Sequence, residues 1–323
     1  MKFAGKLLTT GLVIGGTLGA LTLFNKMTES QAGEIDTVLK GEERRYPWKD
    51  GDIFYLVKGN REAKPLLLIH GFGPGASSYE WRKNIDALAE NFRVYALDLL
   101  GYGLSDRPTI DYSAETYADL ISDFLKEVIG KPTVVVARGE TCAYIIADAY
   151  RRPQLFERLV LVSPLPTILQ ETVPGPLNSV LKVLLRAPIV GQFAYNLLTS
   201  RRSIQNYYDI QGYHNPGLIT DELVEYLFSS AHQSNARYAA ASALTGNLAT
   251  DVHEPLARLQ MPVVTVWGRE GLLTPGEASE AFKRVNARIE SRTLDNSSQQ
   301  PQDEQATKFN ALVREFAGSA VTQ

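Results

Sequence analysis

A glycine lies at the apex of a sharp turn where the sequence would otherwise place a nucleophile. Residues 133–138 are typical of a buried strand, and the residues from Thr141 onward are typical of a helix. A strand-turn-helix of this kind exposes its apex side chain, and a serine in the pattern G-x-S-x-G acts there as a nucleophile. The five positions read Ala137, Arg138, Gly139, Glu140 and Thr141. Gly139 has no side chain, so it cannot attack a carbonyl carbon.

Other groups near this turn offer few substitutes. Thr141 and Cys142 follow the apex on the first turn of the predicted helix, so their side chains should point away from it. Cys142 is the single cysteine and is typical of a small buried hydrophobic residue. The four histidines are His70, His214, His232 and His253. One alternative hypothesis is a relocated nucleophile, such as Thr141 or Cys142, with His232 or His253 as its base.

The composition excludes some functions. A hydrophobic content of 44% and a charged content of 21% are ordinary for a globular protein with a sizeable core. The net charge of -3 argues against nucleic-acid binding, which requires a basic surface. No metal-ligand cluster or phosphate-binding glycine loop is present in the sequence, so we expect neither metal nor cofactor.

The N-terminus predicts a membrane segment. Leu7 to Phe24 is an uncharged run of 18 residues, with Lys2 and Lys6 before it and Lys26 after it. This length is close to the ~20 apolar residues that span a bilayer. A cleaved signal peptide, ending near Ala32, is the competing interpretation, and it would release a soluble ligand carrier. We favour a retained single-pass anchor, with the domain slightly favoured on the extracytoplasmic side.

Small residues share one face of this predicted helix. Gly11, Gly15 and Gly19 recur at every fourth position. Glycines at this spacing let a second membrane helix approach closely. We therefore expect contact with membrane lipid and with a membrane-protein partner through this face, although glycine is also simply frequent in membrane helices.

Short apolar strands alternate with helices and predict a mostly parallel, doubly wound sheet. The predicted strands are Ile53–Val57, Pro65–His70, Arg93–Asp98, Pro132–Val136, Arg158–Ser163, Pro262–Trp267 and Ile289–Leu294, and the helices Ser78–Glu90, Ser113–Ile129, Thr141–Tyr150 and Pro275–Val285. The strand signal stops over residues 164–252, which predicts a helical cap. The domains are therefore an anchor over 1–26, a tether over 27–50, a core over 51–163 and 253–320, and the cap.

Three further segments carry a family resemblance. Residues 67–73 (Leu-Leu-Ile-His-Gly-Phe-Gly) resemble the His-Gly loop that supplies an oxyanion amide in α/β-hydrolases. Residues 97–108 are similar to the family's Asp-x-x-G-x-G-x-S loop, in which we expect Asp98 and Asp106 to brace the backbone. Residues 262–268 resemble the strand that delivers the catalytic acid. The chain thus resembles the cap-bearing esterase, dehalogenase and pheophytinase-like branch of the α/β-hydrolase superfamily.

All three positions of the catalytic triad depart from that family. Gly139 replaces the serine, and Gly271 lies where the acid belongs, before Thr274 and Pro275 resume the usual pattern. Gln299 replaces the histidine. A serine nucleophile needs a base and a carboxylate that orients the base, and the Gln299 amide does not titrate.

The resemblance implies a binding pocket without a triad. Its residues would be His70, Gly71, Phe72, Gly73, Arg138, Gly139 and Glu140. The backbone amide of Glu140 is the expected oxyanion donor, and Arg138 and Glu270 are candidates for an ion pair across the mouth. The leading hypothesis is a membrane-anchored pseudohydrolase that binds an apolar small molecule or serves as a subunit of a membrane assembly. The enzyme alternative is an ester hydrolase with a non-standard nucleophile.

Overall fold

A computed structural model describes residues 2–170, 175–272 and 278–318, with side chains from residue 15 onward. Thr274, Pro275 and the predicted start of the helix Pro275–Val285 lie outside these residues. The strands are β1 (Glu42–Trp48), β2 (Gly51–Lys58), β3 (Pro65–Ile69), β4 (Arg93–Leu97), β5 (Thr133–Arg138), β6 (Phe156–Val162), β7 (Val263–Gly268) and β8 (Glu290–Leu294). They form an eight-stranded sheet in the order β1-β2-β4-β3-β5-β6-β7-β8.

Most of the sheet is parallel, as the sequence predicts. Strands β3 to β8 pair in parallel, whereas β1 with β2 and β2 with β4 are antiparallel. Every residue of β5 is buried, because helices cover both faces of the sheet. Strand β1 lies inside the region predicted as a tether, residues 27–50. Its first four residues are charged and exposed, which is typical of a protected sheet edge and also resembles a linker in sequence.

The helices cover the sheet and build the cap. They are α1 (Lys2–Ala32), α2 (Ile85–Ala89), α3 (Ala114–Asp123), α4 (Thr141–Arg151), α5 (Pro176–Arg186), α6 (Val190–Leu198), α7 (Arg201–Tyr207), α8 (Asp221–Ala231), α9 (Ala236–Leu244), α10 (His253–Arg258), α11 (Ala278–Val285), α12 (Pro301–Glu304) and α13 (Ala306–Gly318). The predicted helix Ser113–Ile129 is α3 continued by a π-helix over Phe124–Ile129. The predicted helix Ser78–Glu90 is a 3₁₀ turn over Ser78–Trp81 followed by α2.

The cap helices α5 to α9 lie between β6 and β7, in the region predicted as residues 164–252. A separate apolar cluster joins the cap to the first helix of the chain. It includes Ala32 of α1 and Leu223, Leu227 and Phe228 of α8. The cap therefore has its own small core, distinct from the two clusters on the faces of the sheet.

Helix α1 runs without a break from Lys2 to Ala32, past the predicted end of the anchor at residue 26. Its C-terminal part packs on the cap rather than forming a tether. The Phe24 and Phe193 rings lie 5.1 Å apart, and the Asn25 side-chain amide donates to the Ile189 carbonyl at 3.0 Å. Among the described residues, no helix has the length and apolar character needed to span a bilayer.

Candidate active site

The predicted strand-turn-helix is formed by β5, Gly139, Glu140 and α4. Gly139 has φ +61°, in the left-handed region that favours glycine. Its amide donates to the Val162 carbonyl at 2.9 Å, which ties the turn to β6. A Cβ atom placed on Gly139 would meet no heavy atom of the described residues within 4 Å. The turn therefore keeps the shape that presents an apex side chain, together with space in front of it.

A buried ion pair lies beside this turn. The Arg138 Nε donates to the Glu80 carboxylate at 2.5 Å, and each side chain is 10% exposed. Burial alone lowers the pKa of Arg138, but the adjacent Glu80 charge outweighs burial and leaves that pKa above its ordinary value. The proposed pairing of Arg138 with Glu270 is wrong, because Glu270 accepts instead from the Ser297 amide at 3.0 Å. A guanidinium held in this way is a fixed cation at the floor of the site.

The same ion pair reaches the loop that follows β3. The second Glu80 oxygen accepts from the Gly71 amide at 3.1 Å. A Cβ atom at Gly71 would lie 2.7 Å from Arg138 Nη2, so the guanidinium packs directly over this glycine. Glu80 is 58 residues from Arg138 in sequence. No pattern in the sequence links them, and the pair was not expected.

His70 is a structural residue of this loop. The Leu99 amide donates to its Nε2 at 3.0 Å, so the ring proton is on Nδ1, which donates to the Gly71 carbonyl at 2.7 Å. Burial lowers the pKa of His70, with Asp98 opposing that shift. The imidazole is therefore neutral and engaged on both nitrogens. It braces the backbone beneath the site and has no free nitrogen for acid-base chemistry.

The expected bracing by two aspartates is confirmed. Asp98 accepts from the Ser78 amide at 2.6 Å and from the Leu104 amide at 2.7 Å. Asp106 accepts from the Asp52 amide at 2.8 Å. These bonds hold the loops on either side of the site, and each carboxylate is used as a backbone acceptor.

The other two degenerate triad positions are Gly271 and Gln299, which follow β7 and β8. Gly268, at the end of β7, packs so closely that a Cβ there would lie 2.0 Å from the Ser298 carbonyl oxygen. Gly271 follows three residues later and is buried. Gln299 is 3% exposed, and its backbone amide donates to the Gly212 carbonyl of the cap at 3.2 Å. Neither position contributes a titrating group to the site.

The Gln299 side chain is itself unusual. Its buried Nε2 has no hydrogen-bond partner among the described residues. A buried donor without a partner is costly, about 1–3 kcal/mol. An acceptor atom on a bound molecule would remove that cost.

The alternative nucleophiles are bonded elsewhere. The Thr141 hydroxyl donates to the His70 carbonyl at 2.8 Å. The Cys142 thiol is fully buried and lies 3.2 Å from the Ala137 carbonyl oxygen. Burial raises its pKa well above the ordinary range, so it is a thiol rather than a reactive thiolate.

Of the candidate bases, one is bonded within the cap and the other is exposed. His232 places Nδ1 2.7 Å from the Phe228 carbonyl and Nε2 3.1 Å from the Thr199 hydroxyl, within the cap. His253 is exposed at the start of α10. Among the described residues, no hydrogen bond joins either histidine to Thr141 or Cys142.

Two cavities flank the turn, and Phe72 lines both. The first, about 170 Å³, lies on the Arg138 side beneath the cap. Its lining combines aliphatic residues such as Ile204 and Leu223 with aromatic and charged side chains, which are Phe72, Tyr79, Glu80, Arg82, Arg138, Tyr207, Tyr208 and Tyr213. Gly73 also lines it. The cap tyrosines were not expected, because they are more than 60 residues away in sequence and carry no motif.

The second cavity, about 280 Å³, lies on the Glu140 side. Its walls are mostly apolar: Phe72, Ala143, Leu165, Ile168, Ala243, Leu248 and Ala249. Gly139 thus lies between Arg138, which lines the first cavity, and Glu140, which lines the second. The predicted pocket residues His70, Gly71 and Gly139 line neither cavity. His70 and Gly71 support the loop from below.

Glu140 changes the character of the expected oxyanion position. Burial raises the pKa of its carboxyl group, while its own backbone amide and then Arg138 act in the opposite direction. Glu140 lines the second cavity, so its carboxylate would repel an anionic reaction intermediate formed there.

Comparisons with known proteins agree with this architecture. Residues 64–297 match the α/β hydrolase fold family. A 2-hydroxymuconate semialdehyde hydrolase from Pseudomonas sp. is 26% identical over 265 residues, covering 79% of this chain and 87% of the relative. A (lyso)-N-acylphosphatidylethanolamine lipase from Mus musculus is 23% identical over 286 residues, covering 80% of each protein.

A solved structure extends the likeness to three dimensions. The meta-cleavage product hydrolase from Pseudomonas fluorescens IP01 superposes with a TM-score of 0.69 at 25% identity, covering 85% of this chain and 97% of that one. The chain thus shares its overall fold with that hydrolase. On this basis, the chain belongs to the α/β hydrolase fold family.

Proposed function

We propose that this protein is a pseudohydrolase, which binds an apolar small molecule between its core and cap without hydrolysing it. The observation that carries the proposal is the turn at Gly139. Its backbone keeps the left-handed φ of +61°, and the space in front of it is open. Among the described residues, no nucleophilic side chain occupies that space, and Gln299 and Gly271 supply neither base nor acid.

The cavities support the class of ligand. The second cavity is mostly apolar, and the first adds the charged side chains of Glu80, Arg82 and Arg138, so the pair suits a molecule with an apolar chain and a polar group. One relative is named as a lipase of N-acyl lipids, which makes acyl lipids a suitable first set of probes.

Activity is tested with a fluorophosphonate probe and p-nitrophenyl esters of increasing chain length. We expect labelling and ester turnover no higher than in a heat-denatured control. Labelling above that control would contradict the proposal and would favour the alternative hydrolase with a non-standard nucleophile.

Binding is tested separately with a pair of adjacent variants. Ala243 lines the second cavity, whereas its neighbour Leu244 is 56% exposed. We expect Ala243→Phe to fill the cavity and abolish binding of a fluorescent fatty acid, and Leu244→Phe to leave binding unchanged. Equal binding by both variants and the unmodified protein would exclude this cavity as the ligand site.

We also propose that residues 1–26 anchor the protein to a membrane and meet a membrane-protein partner through Gly11, Gly15 and Gly19. The uncharged run from Leu7 to Phe24 supports this. A Cβ on Gly15 or Gly19 would meet nothing within 4 Å among the described residues, so their face is free for another helix. Gly11 lies in the part of α1 whose side chains are not described.

Cell fractionation tests the anchor and the competing interpretation together. We expect the native protein to resist carbonate extraction and to retain its N-terminal residues on sequencing. A soluble protein whose sequence begins after Ala32 would instead be a secreted ligand carrier.

A further inference from the structure

Helix α5 of the cap exposes its apolar side. Leu177, Val180 and Val183 are 79%, 65% and 73% exposed, and Leu181 and Leu184 are 38% and 46% exposed. We call these five residues the cap face. A surface helix normally turns such residues toward the core. Here Leu185 is the one buried residue of the helix.

The polar side chains of the same helix point toward the protein. Lys182 and Arg186 both pair with Asp111, at 3.0 and 2.8 Å. Arg186 also donates to the Ile110 carbonyl at 3.0 Å, and the Asn178 amide donates to the Thr245 carbonyl at 3.3 Å. The helix is therefore fixed by polar contacts with its apolar side outward. Rotating it to hide the cap face would break these bonds.

The composition of the cap face favours lipid over protein as its occupant. It contains leucine and valine, with Ser179 as the exposed polar neighbour. Protein interfaces are enriched in aromatic residues and arginine, and leucine and valine are under-represented among their strongest contacts. Aliphatic side chains without charge or hydrogen-bonding groups instead suit the acyl layer of a membrane, where polar groups are costly.

The neighbouring helices extend this apolar surface. Helix α6 packs against both α5 and α1. It exposes Leu197 and Leu198, and α1 exposes Leu23 and Met27. Leu198 also lines the first cavity, so that cavity reaches the same apolar region.

We propose that the cap face rests in the interfacial layer of a lipid bilayer, beside α1. In this arrangement the cap contacts the membrane surface, and no helix needs to span the bilayer. The first cavity then lies next to the source of an apolar ligand. The proposal concerns a surface of the cap, so it stands whether or not the site at Gly139 has hydrolytic activity.

An environment-sensitive label tests the proposal in the full-length protein. Val180→Cys is labelled with an NBD maleimide, since Cys142 is fully buried and will not react in the folded protein. The control is the same label at Glu62→Cys, because Glu62 is an exposed turn residue of the core domain, away from the cap. The protein is reconstituted with phosphatidylcholine vesicles, with and without bromine on the acyl chains.

We expect the Val180 label to shift its emission to shorter wavelength in vesicles and to lose intensity with brominated lipid. The Glu62 label should do neither. Anionic phosphatidylglycerol should change the result little, because the cap face carries no charge. A Val180 label that stays water-exposed on vesicle-bound protein would overturn the proposal, even if α1 anchors the chain.

Two substituted backgrounds separate membrane contact from other causes. Leu177→Glu with Val183→Glu adds charge at the most exposed positions and should abolish quenching without loss of helical circular dichroism. Leu177→Ile with Val183→Ile should retain quenching. A spectral shift that grows with protein concentration in the absence of vesicles would overturn the proposal in favour of contact between two copies of the chain.

Discussion

Replacing Gly139 by serine should lower stability and restore no activity. The residue has φ +61°, and an L-residue in the left-handed region costs roughly 1–2 kcal/mol. No steric term is added, because the space in front of Gly139 is open to 4 Å. We therefore expect Gly139→Ser and Gly139→Ala to lower the free energy of unfolding equally, by about 1–2 kcal/mol.

Gly130 offers a matched control away from the site. It has φ +69°, and a Cβ there would meet its nearest described atom, the Lys126 carbonyl oxygen, at 3.9 Å. Gly130→Ala should thus cost about the same 1–2 kcal/mol. Urea unfolding followed by circular dichroism measures all three variants, with m-values compared to confirm that the midpoint shifts report stability.

Ester turnover by Gly139→Ser is the measurement that can refute this reasoning. A serine without a base and its orienting acid lacks a means to lose its proton, and Gln299 does not titrate. Ester turnover by Gly139→Ser should equal that of Gly139→Ala. A clear excess in the serine variant would show that the site holds a base that the structure does not reveal.

Three further predictions concern the surroundings of the site. Glu80→Ala leaves the buried Arg138 guanidinium unpaired and should cost about 3–5 kcal/mol in chemical denaturation; the double variant with Arg138→Ala should cost less than the single one. Burial raises the pKa of Asp148 from 3.8 to about 6, so the folded state holds its proton more tightly and stability should fall as pH rises from about 4 to about 6. Asp148→Asn should flatten that part of the stability-pH curve. Asn25→Ala removes a hydrogen bond to Ile189, and hydrogen exchange in residues 15–32 should become faster, with the core unchanged.

Most of the sheet could be predicted from sequence, because buried parallel strands are short apolar runs. The seven predicted strands correspond to β2 to β8, of which β8 is mostly exposed and β2 pairs antiparallel. Strand β1 could not, since Glu42 to Arg45 expose four successive charges and gain their structure from pairing with β2. The turn at Gly139 was predictable from local pattern alone.

The rest of the site was not predictable, because its contacts join distant parts of the chain. Glu80 meets Arg138 across the loop after β3, and Tyr207 and Tyr208 arrive from the cap. The packing of Asn25 against the cap is of the same kind. The spacing of two residues in sequence predicts a contact only when one helix or strand fixes the distance between them, and the residues of these pairs lie on different elements.

The bonds that hold the pocket are independent of the triad positions. Asp98 fixes the amides of Ser78 and Leu104, and His70 fixes Leu99. None of these groups depends on the side chain at position 139, so the walls keep their shape when that side chain is absent. Intact loops in this family therefore argue for the fold and a cavity, and they say nothing about turnover. The chemistry must be judged from the groups beside the apex, and there the structure offers the Arg138 guanidinium, already paired with Glu80, and the Glu140 carboxyl group, neither of which is a nucleophile with a base beside it.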